Sequence, residues 1–470
     1  MTKPNWMAMA DPIHGMIRLK RQDETHRLLL DVINSRAFQR LRRIKQMGMA
    51  EFVFPGATHN RFVHSIGAMW LMLKTIDHLS EDRDVARQLK QPFADTGVPF
   101  KRLLLVGILV HDIGHPPLSH TLEDVLNLQG QGLNHDQHWN DLVLKHDPQL
   151  KAIWAKYGHP NMPDALARFL GNHENTAKHY FADLVSSQLD MDRLDYLLRD
   201  SHHLGVQYGR VETERLITNL SLEPRLDDEP VIAIREEALP ALEHYLFGRY
   251  QAYKMALHSL DKAAEILMKK TLLRFAEARR QGIKTGEPAD ILFKLIEDGK
   301  SMTHDEFLML DDCYLWDKIN QWAHLSEDKI LKKLSIRLLE HNLFKYIEIT
   351  QFGGNLTHSD LMPIYDQLRQ YYEKRGLSYE FGFDQMIVTP KPFYQKPPVK
   401  NPIWIRQHNG TICEFDTISS LPFTMEHNEG RRWLLFVWDR EAKSVLKRLL
   451  EQRFDPDSQI SDESDDEDFE

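Results

Sequence analysis

The feature that most restricts this chain is an unbroken apolar run, LLLVGILV, over Leu103–Val110, followed at once by His111 and Asp112. A helical segment that is apolar on every side has to be surrounded by protein. The run therefore predicts a buried helical rod, closed by Gly114 with Pro116 and Pro117 just beyond. Such a rod delivers an imidazole and a carboxylate to its tip. An ionised carboxylate there is costly unless it is paired or bound to a cation. Imidazole with carboxylate is a donor mix suited to Fe, Mn, Zn or Mg. A His-Asp pair alone is most often a surface or capping feature, so a site needs further donors from elsewhere in the chain.

Two other segments offer them. From His59 to Ser80, apolar residues fall at Phe62, Ile66, Met69, Leu73 and Ile76, in alternating steps of four and three, which is one face of a helix. His64 lies about 200° around from Phe62, off that stripe. By itself it reads as a partly buried histidine bonded to backbone; beside His111-Asp112 it becomes a third donor. In DMDRLDYLLRD, Asp192, Tyr196 and Asp200 follow at intervals of four and stack on one helix face. That face spans about 12 Å, roughly a nucleoside with its first phosphate. The competing reading is a solvated acidic face paired to Arg193 and Arg199, and spacing alone does not choose among Asp190, Asp192 and Asp195. Ser187 and Asp190 loosely form a capping box, which predicts a capped start for this helix.

The texture is mainly α: a helical core over residues 1–220 and a helical extension over 221–379. After residue 380 it changes. PKPFYQKPPVKNP is a Pro-rich connector, and IWIR, TICEFD and WLLFVWD read as strands before a helix, REAKSVLKRLLEQRF. Residues 380–455 are thus expected to form a small mixed α/β subdomain. The net charge of -10 belongs largely to the end of the chain, where residues 455–470 carry nine acidic residues and no Lys or Arg. Without them the body stands at about -1. A self-repelling block of this kind does not fold, so residues 456–470 read as a disordered acidic tail. A neutral body gives no support to strong nonspecific binding of nucleic acid, which needs a basic face. Cys313 and Cys413 are far apart and in no Cys-x-x-Cys pattern, which excludes a disulfide framework or zinc knuckle. With 42% hydrophobic residues, no signal-peptide pattern and no apolar stretch of membrane-spanning length, the expectation is a soluble cytoplasmic protein without a membrane partner.

Four segments, taken in order, carry a resemblance. They are DPIHGMIRL; FQRLRRIKQMG with VFPGATHNRFVHSIG; HDIGHPPLSH; and DMDRLDYLLRDSHHLG. Together they resemble the HD-domain superfamily, and within it the dNTP triphosphohydrolases that in animals join a sterile-alpha-motif domain to an HD domain. The similarity runs from Asp11 to about Gly205, with weaker echoes to about Arg274; with so few residues ahead of Asp11, no sterile-alpha-motif domain is expected.

The resemblance implies an HD-domain helical core and metal ligands at His64, His111, Asp112 and Asp192. It implies a catalytic histidine at His115 and a proton-transfer pair at His135 and Asp136, where the family has His-Glu. Gln46 and Arg61 correspond to contacts with the sugar edge and the α-phosphate. His120, Arg193, Tyr196 and Asp200 correspond to phosphate, stacking and 3′-hydroxyl contacts. The implied cofactor is a divalent metal ion (Fe, Mn, Zn or Mg), with Mg accompanying the substrate triphosphate. The implied reaction converts dNTP to deoxynucleoside and inorganic triphosphate, in a homo-oligomer (dimer or tetramer) open to a nucleotide activator. Two positions depart from the pattern. Asn34 stands where the family senses guanine with an acidic residue, although Gln39 and Arg42 are kept, and an amide does not accept both guanine N–H groups as a carboxylate does. In YQAYKMALHSLDKAAE, Ala256 sits near an expected packing Tyr. The alternatives are an HD phosphohydrolase acting on a monophosphate, alarmone or cyclic dinucleotide, or a non-catalytic regulator that binds nucleotide or nucleic acid; nucleic acid is not expected as the main ligand.

Overall fold

The computed structural model describes residues 5–172, 177–225, 228–256, 258–286, 288–352, 356–389, 394–395, 401–420 and 431–454, and leaves aside the side chains of residues 136, 137 and 228. The architecture is mainly α with small sheets. The acidic tail, residues 456–470, lies outside the described residues.

A hairpin of β1 (Trp6–Asp11) and β2 (Gly15–Lys20) comes first, paired antiparallel from Trp6 and Lys20 to Asp11 and Gly15. Gly15 takes φ +69°, the left-handed conformation this tight turn needs. Asp11 accepts the backbone N–H groups of Ile13 and His14 at 2.8 and 2.9 Å, which fixes the direction in which His14 leaves the turn.

The apolar run forms the helix Phe100–Val110, with every residue from Leu103 to Val110 buried. It ends at Val110, so His111 is its C-cap and Gly114 lies in the turn beyond. Against it packs the helix Arg61–Leu79, whose N-cap Asn60 accepts the N–H of Val63. The same helix also packs against the helix Met191–Leu204. Each buried Leu, Ile or Met along these contacts contributes about 1.5–3 kcal/mol. The arrangement brings the C-terminal end of one helix to the first turns of two others. Carbonyl dipoles at the rod's end favour a cation, while the N–H ends of its neighbours favour an anion.

Toward the C-terminus, β3 (Leu220–Arg225) pairs antiparallel with β4 (Asp228–Arg235). The remaining strands are β5 (Lys345–Glu348), β6 (Phe383–Val388), β7 (Trp404–Arg406), β8 (Ile412–Glu414) and β9 (Arg432–Val437). One sheet has the order β3-β4-β7-β8, with β7 parallel to β4, and the other β5-β9-β6. Helices His358–Lys374 and Arg440–Phe454 cover the latter and bury Leu361, Ile364, Leu435, Leu446 and Leu450 in a second apolar cluster. The strands after residue 380 are therefore divided: β6 and β9 join β5, whereas β7 and β8 extend the β3–β4 sheet. The connector is returned to the helical core by Gln188. Its amide accepts the Gln395 N–H at 2.9 Å and donates to the carbonyls of Gln395 and Asn401 at 2.8 and 2.9 Å. Among the described residues no helix is long and apolar enough to cross a membrane.

Candidate metal centre and active site

Three separate stretches of backbone meet at one point. His64 Nε2 stands 3.0 Å from Asp192 Oδ1 and 3.3 Å from His111 Nε2, and His111 Nε2 is 3.5 Å from Asp192 Oδ1. Asp112 sits at the margin, with carboxylate oxygens 3.4 Å from His111 Nε2 and 3.8 Å from His64 Nε2. Asp190 is the N-cap that starts the Asp192 helix; its carboxylate accepts the N–H groups of Arg193 at 2.7 Å and Ser187 at 2.6 Å. The cap is thus Asp190 itself, and Ser187 donates to it.

The far nitrogens of the two rings decide what the near ones present. His64 Nδ1 donates to Asp195 Oδ2 at 2.8 Å, and His111 Nδ1 to the Ile108 carbonyl at 2.7 Å. With both Nδ1–H groups engaged, the Nε2 lone pairs point at each other and at Asp192. Two lone pairs and a carboxylate oxygen this close need a positive centre between them. The set can hold a divalent ion, and its mix of imidazole and carboxylate fits Fe, Mn, Zn or Mg.

Without a cation, a proton takes that place. Burial opposes charge on His64, but hydrogen bonds with Asp192 and Asp195 outweigh it and raise the pKa to about 10. On His111 burial is outweighed by Asp112 and Asp192, and the pKa rises to about 9. Groups raised in the folded state give stability that is fully present below the unfolded value of about 6.5 and is lost as pH climbs through the folded value. A bound cation displaces the proton and restores what is lost. Adding Mn²⁺ should therefore raise the Tm more at about pH 9 than at about pH 6.5 in scanning calorimetry. Equal shifts at both would count against these donors.

His111, Asp112 and Asp192 line a cavity of about 750 Å³, whereas His64 is fully buried and does not reach it. Gln46, Arg61, His120, Arg193, Tyr196 and Asp200 all line it. Arg61 donates to Asp112 Oδ2 at 2.7 Å and to Ser119 Oγ at 3.0 Å. Arg193 donates to the Ser187 carbonyl at 2.7 Å and to the Tyr196 hydroxyl at 3.1 Å. Asp200 lines the cavity and accepts from His59 Nε2 at 2.7 Å through one oxygen.

His115 is buried, donates through Nε2 to Asp112 Oδ1 at 3.1 Å, and stacks on His135 with ring centroids 3.6 Å apart. Burial, reinforced by Arg61, holds its pKa well below the usual value, so it is an uncharged imidazole. His135 is turned by a residue that sequence reasoning missed. Glu123 accepts from His135 Nδ1 and from His120 Nδ1, each at 2.8 Å, and also from the backbone N–H of His135. Burial pushes the Glu123 carboxyl up, but the two imidazoles outweigh it and keep it ionised. Its signal was its position three residues after His120 on one helix. The side chain of Asp136 lies outside the described residues. Asn140, also missed, splints the loop: it accepts the Gly114 N–H and donates to the His111 carbonyl, both at 2.7 Å.

No family model matches the chain. The chain is 30% identical over 428 residues to the uncharacterized protein YwfO of Bacillus subtilis, covering 90% of this chain and 89% of that one. It is 28% identical over 377 residues to human deoxynucleoside triphosphate triphosphohydrolase SAMHD1, covering 74% of this chain and 55% of the human protein. Among solved structures it is similar to a phosphohydrolase from Bacteroides thetaiotaomicron, with a TM-score of 0.71 and 26% identity, covering 92% of this chain and 100% of that one. The chain belongs to the same family as YwfO, and its fold, donor set and likeness to the human and Bacteroides proteins are those of an HD-domain phosphohydrolase.

Proposed function

We propose that the protein is a metal-dependent dNTP triphosphohydrolase that cleaves dNTP into deoxynucleoside and inorganic triphosphate. The observation that carries this reading is the row of Asp192, Tyr196 and Asp200 along one helix face in the 750 Å³ cavity, with Arg61 and Arg193 beside it. That order of metal-binding carboxylate, aromatic ring and second carboxylate suits a phosphate, a sugar and its hydroxyl, in that sequence. The likeness to the human triphosphohydrolase supports the same reading.

In this reading His64, His111, Asp112 and Asp192 hold the ion, and Mg accompanies the triphosphate. When bound, such an ion supplies Lewis-acid polarisation of a phosphoryl oxygen and acidification of water. Arg61 and Arg193 offset the phosphate charge, each able to make bidentate contacts. His115 stands beside the α-phosphate with its one N–H given to Asp112, and Gln46 meets the sugar edge. The His135–Glu123 pair, helped by His120 and Asp136, carries a proton to the leaving oxygen. The oxygen of water bonds to the α-phosphorus, and the bond from that phosphorus to the 5′-oxygen breaks. One proton leaves the water and one reaches the nucleoside oxygen. The second oxygen of Asp200 accepts the 3′-hydroxyl. A nucleotide activator, a dimer or tetramer and a cytoplasmic location belong to the same proposal.

The test is to incubate Mn²⁺-loaded protein with each dNTP, alone and with GTP or a second dNTP, and to separate the products. Deoxynucleoside with triphosphate is expected. Monophosphate with pyrophosphate would reject the bond assigned, and turnover restricted to monophosphates or cyclic dinucleotides would move the protein elsewhere among the HD phosphohydrolases. Binding of nucleotide with no turnover, metal being bound, would make it a regulator.

A further inference from the structure

Behind His64, on the side away from the cavity, a buried carboxylate joins three parts of the fold. Asp195 is fully buried and accepts four hydrogen bonds. Oδ2 takes His64 Nδ1–H at 2.8 Å and Arg199 Nε–H at 2.9 Å, while Oδ1 takes His14 Nε2–H at 2.6 Å and Arg199 Nη2–H at 2.9 Å. Arg199 is fixed in turn by Asp11, which accepts from its Nη1 at 2.9 Å. His14 and Asp11 both belong to the β1–β2 turn. The helix that carries His64 leaves room for this cluster only because residue 67 is glycine. A Cβ there would lie 2.0 Å from Asp195 Oδ1 and 2.3 Å from Arg199 Nη2. None of Asp11, His14, Asp195 and Arg199 is among the residues lining the cavity, so they have no direct part in holding substrate.

The chemistry of the cluster points toward His64. An imidazole can present only one lone pair, and which nitrogen presents it is set by the partner of the other. A carboxylate on Nδ1 fixes the proton there, fixes the plane of the ring and makes Nε2 more basic. Both oxygens of Asp195 face the Arg199 guanidinium, the partner a carboxylate would have there. Two accepted bonds from Arg199 and one from His14 then leave its orientation no freedom.

We propose that Asp195, held by His14 and Arg199, is a positioning residue for the metal centre, setting the tautomer and ring plane of His64, so that the β1–β2 turn is part of what determines metal affinity. This rests on the reading of His64 as a ligand. The competing view makes the same network a buried brace that contributes stability alone.

The two separate in the full-length protein by titrating Mn²⁺ against a competing chelator and by recording the visible spectrum of the Co²⁺-loaded form. The variants are Asp195→Asn, Asp195→Ala, His14→Ala and Gly67→Ala, with His64→Ala as reference and the Tm of each cation-free protein alongside. His14→Ala and Asp195→Asn should weaken Mn²⁺ by about 10- to 100-fold and shift the Co²⁺ bands. Asp195→Ala should weaken it further, because an amide oxygen still accepts His64 Nδ1–H and a methyl group does not. Gly67→Ala should resemble Asp195→Ala. If the Asp195 and Gly67 variants do not fold, His14→Ala decides, since it leaves Asp195, Arg199 and every donor to the ion in place. A lowered Tm with unchanged Mn²⁺ affinity and an unchanged Co²⁺ spectrum would overturn the proposal while leaving the ligand assignment intact. Retention of tight Mn²⁺ binding by His64→Ala would overturn both.

Discussion

Asp192→Ala is expected to abolish stoichiometric binding of a divalent cation and to lower phosphohydrolase turnover by about 10³-fold or more. Asp192 Oδ1 is the atom that both facing imidazole nitrogens approach, at 3.0 and 3.5 Å. Its removal leaves two neutral nitrogens and the more distant Asp112, whose oxygens are committed to Arg61 and His115. It also deletes one of the hydrogen bonds that raise the His64 pKa, so the cation-free protein should lose part of its pH-dependent stability between about 6.5 and 10. The fold should persist. Asp192 is only the second residue of its helix, and the cap is supplied by Asp190, which the substitution leaves untouched. An unchanged circular dichroism spectrum with lost Mn²⁺ binding in equilibrium dialysis is the expected pair of results. Tight binding by Asp192→Ala would mean that another carboxylate of the same helix serves the ion.

That question was open from sequence for a definite reason. Asp190, Asp192 and Asp195 lie within six residues, and a helical repeat shows which residues share a face without showing which face meets the histidine. The fold separates their tasks. Asp190 closes the helix start, Asp192 meets Nε2 of His64, and Asp195, three residues on, meets Nδ1 of the same ring. Two carboxylates at i and i+3 thus flank one imidazole from both sides. The rod and the His64 helix were legible because apolar periodicity over many residues overdetermines a helix and its buried face. Glu123, Asn140 and His14 were not. Glu123 left only its spacing from His120, while its bonds to His135, like those of Asn140 to Gly114 and His111 and of His14 to Asp195, join residues 12 or more positions apart, and no local pattern records such pairings. The strands after residue 380 show the same limit. Alternation identifies β7 as a strand, but its place beside β4 depends on the Gln188 amide binding residues more than two hundred positions away. The acidic tail gives no structural comparison, since it lies outside the described residues.

Gly114→Ala is expected to destabilise the protein by roughly 3 kcal/mol or more and to lower turnover by about 100-fold. The glycine lies between Asp112 and His115, and its role is one of space. A Cβ at this position would stand 2.3 Å from the Asn140 nitrogen and 2.5 Å from the Trp139 carbonyl carbon. Both are backbone atoms and cannot swing aside. Nor can their segment retreat, because Trp139 is fully buried and stacked on Phe307 with centroids 4.8 Å apart. The displacement must therefore fall on the loop of residues 111–115. Moving it breaks the Asn140 bonds to the Gly114 N–H and the His111 carbonyl, and a buried polar group left unpaired costs about 1–3 kcal/mol. The overpacking itself adds about 1–3 kcal/mol. Since His111 and His115 ride on the same loop, the imidazole nitrogens shift relative to Asp192 and His135, and a displacement of about 1 Å at a reacting centre costs on the order of 100-fold. Gly130 provides the contrast: it has φ +75° with open space around the missing Cβ. Gly130→Ala should therefore show only backbone strain of about 1 kcal/mol, with Mn²⁺ affinity unchanged. Urea denaturation and Mn²⁺ titration of the two variants side by side separate crowding at the metal loop from a general cost of losing glycine. If Gly114→Ala matched Gly130→Ala in both, the loop would not be held against residues 139 and 140 as described.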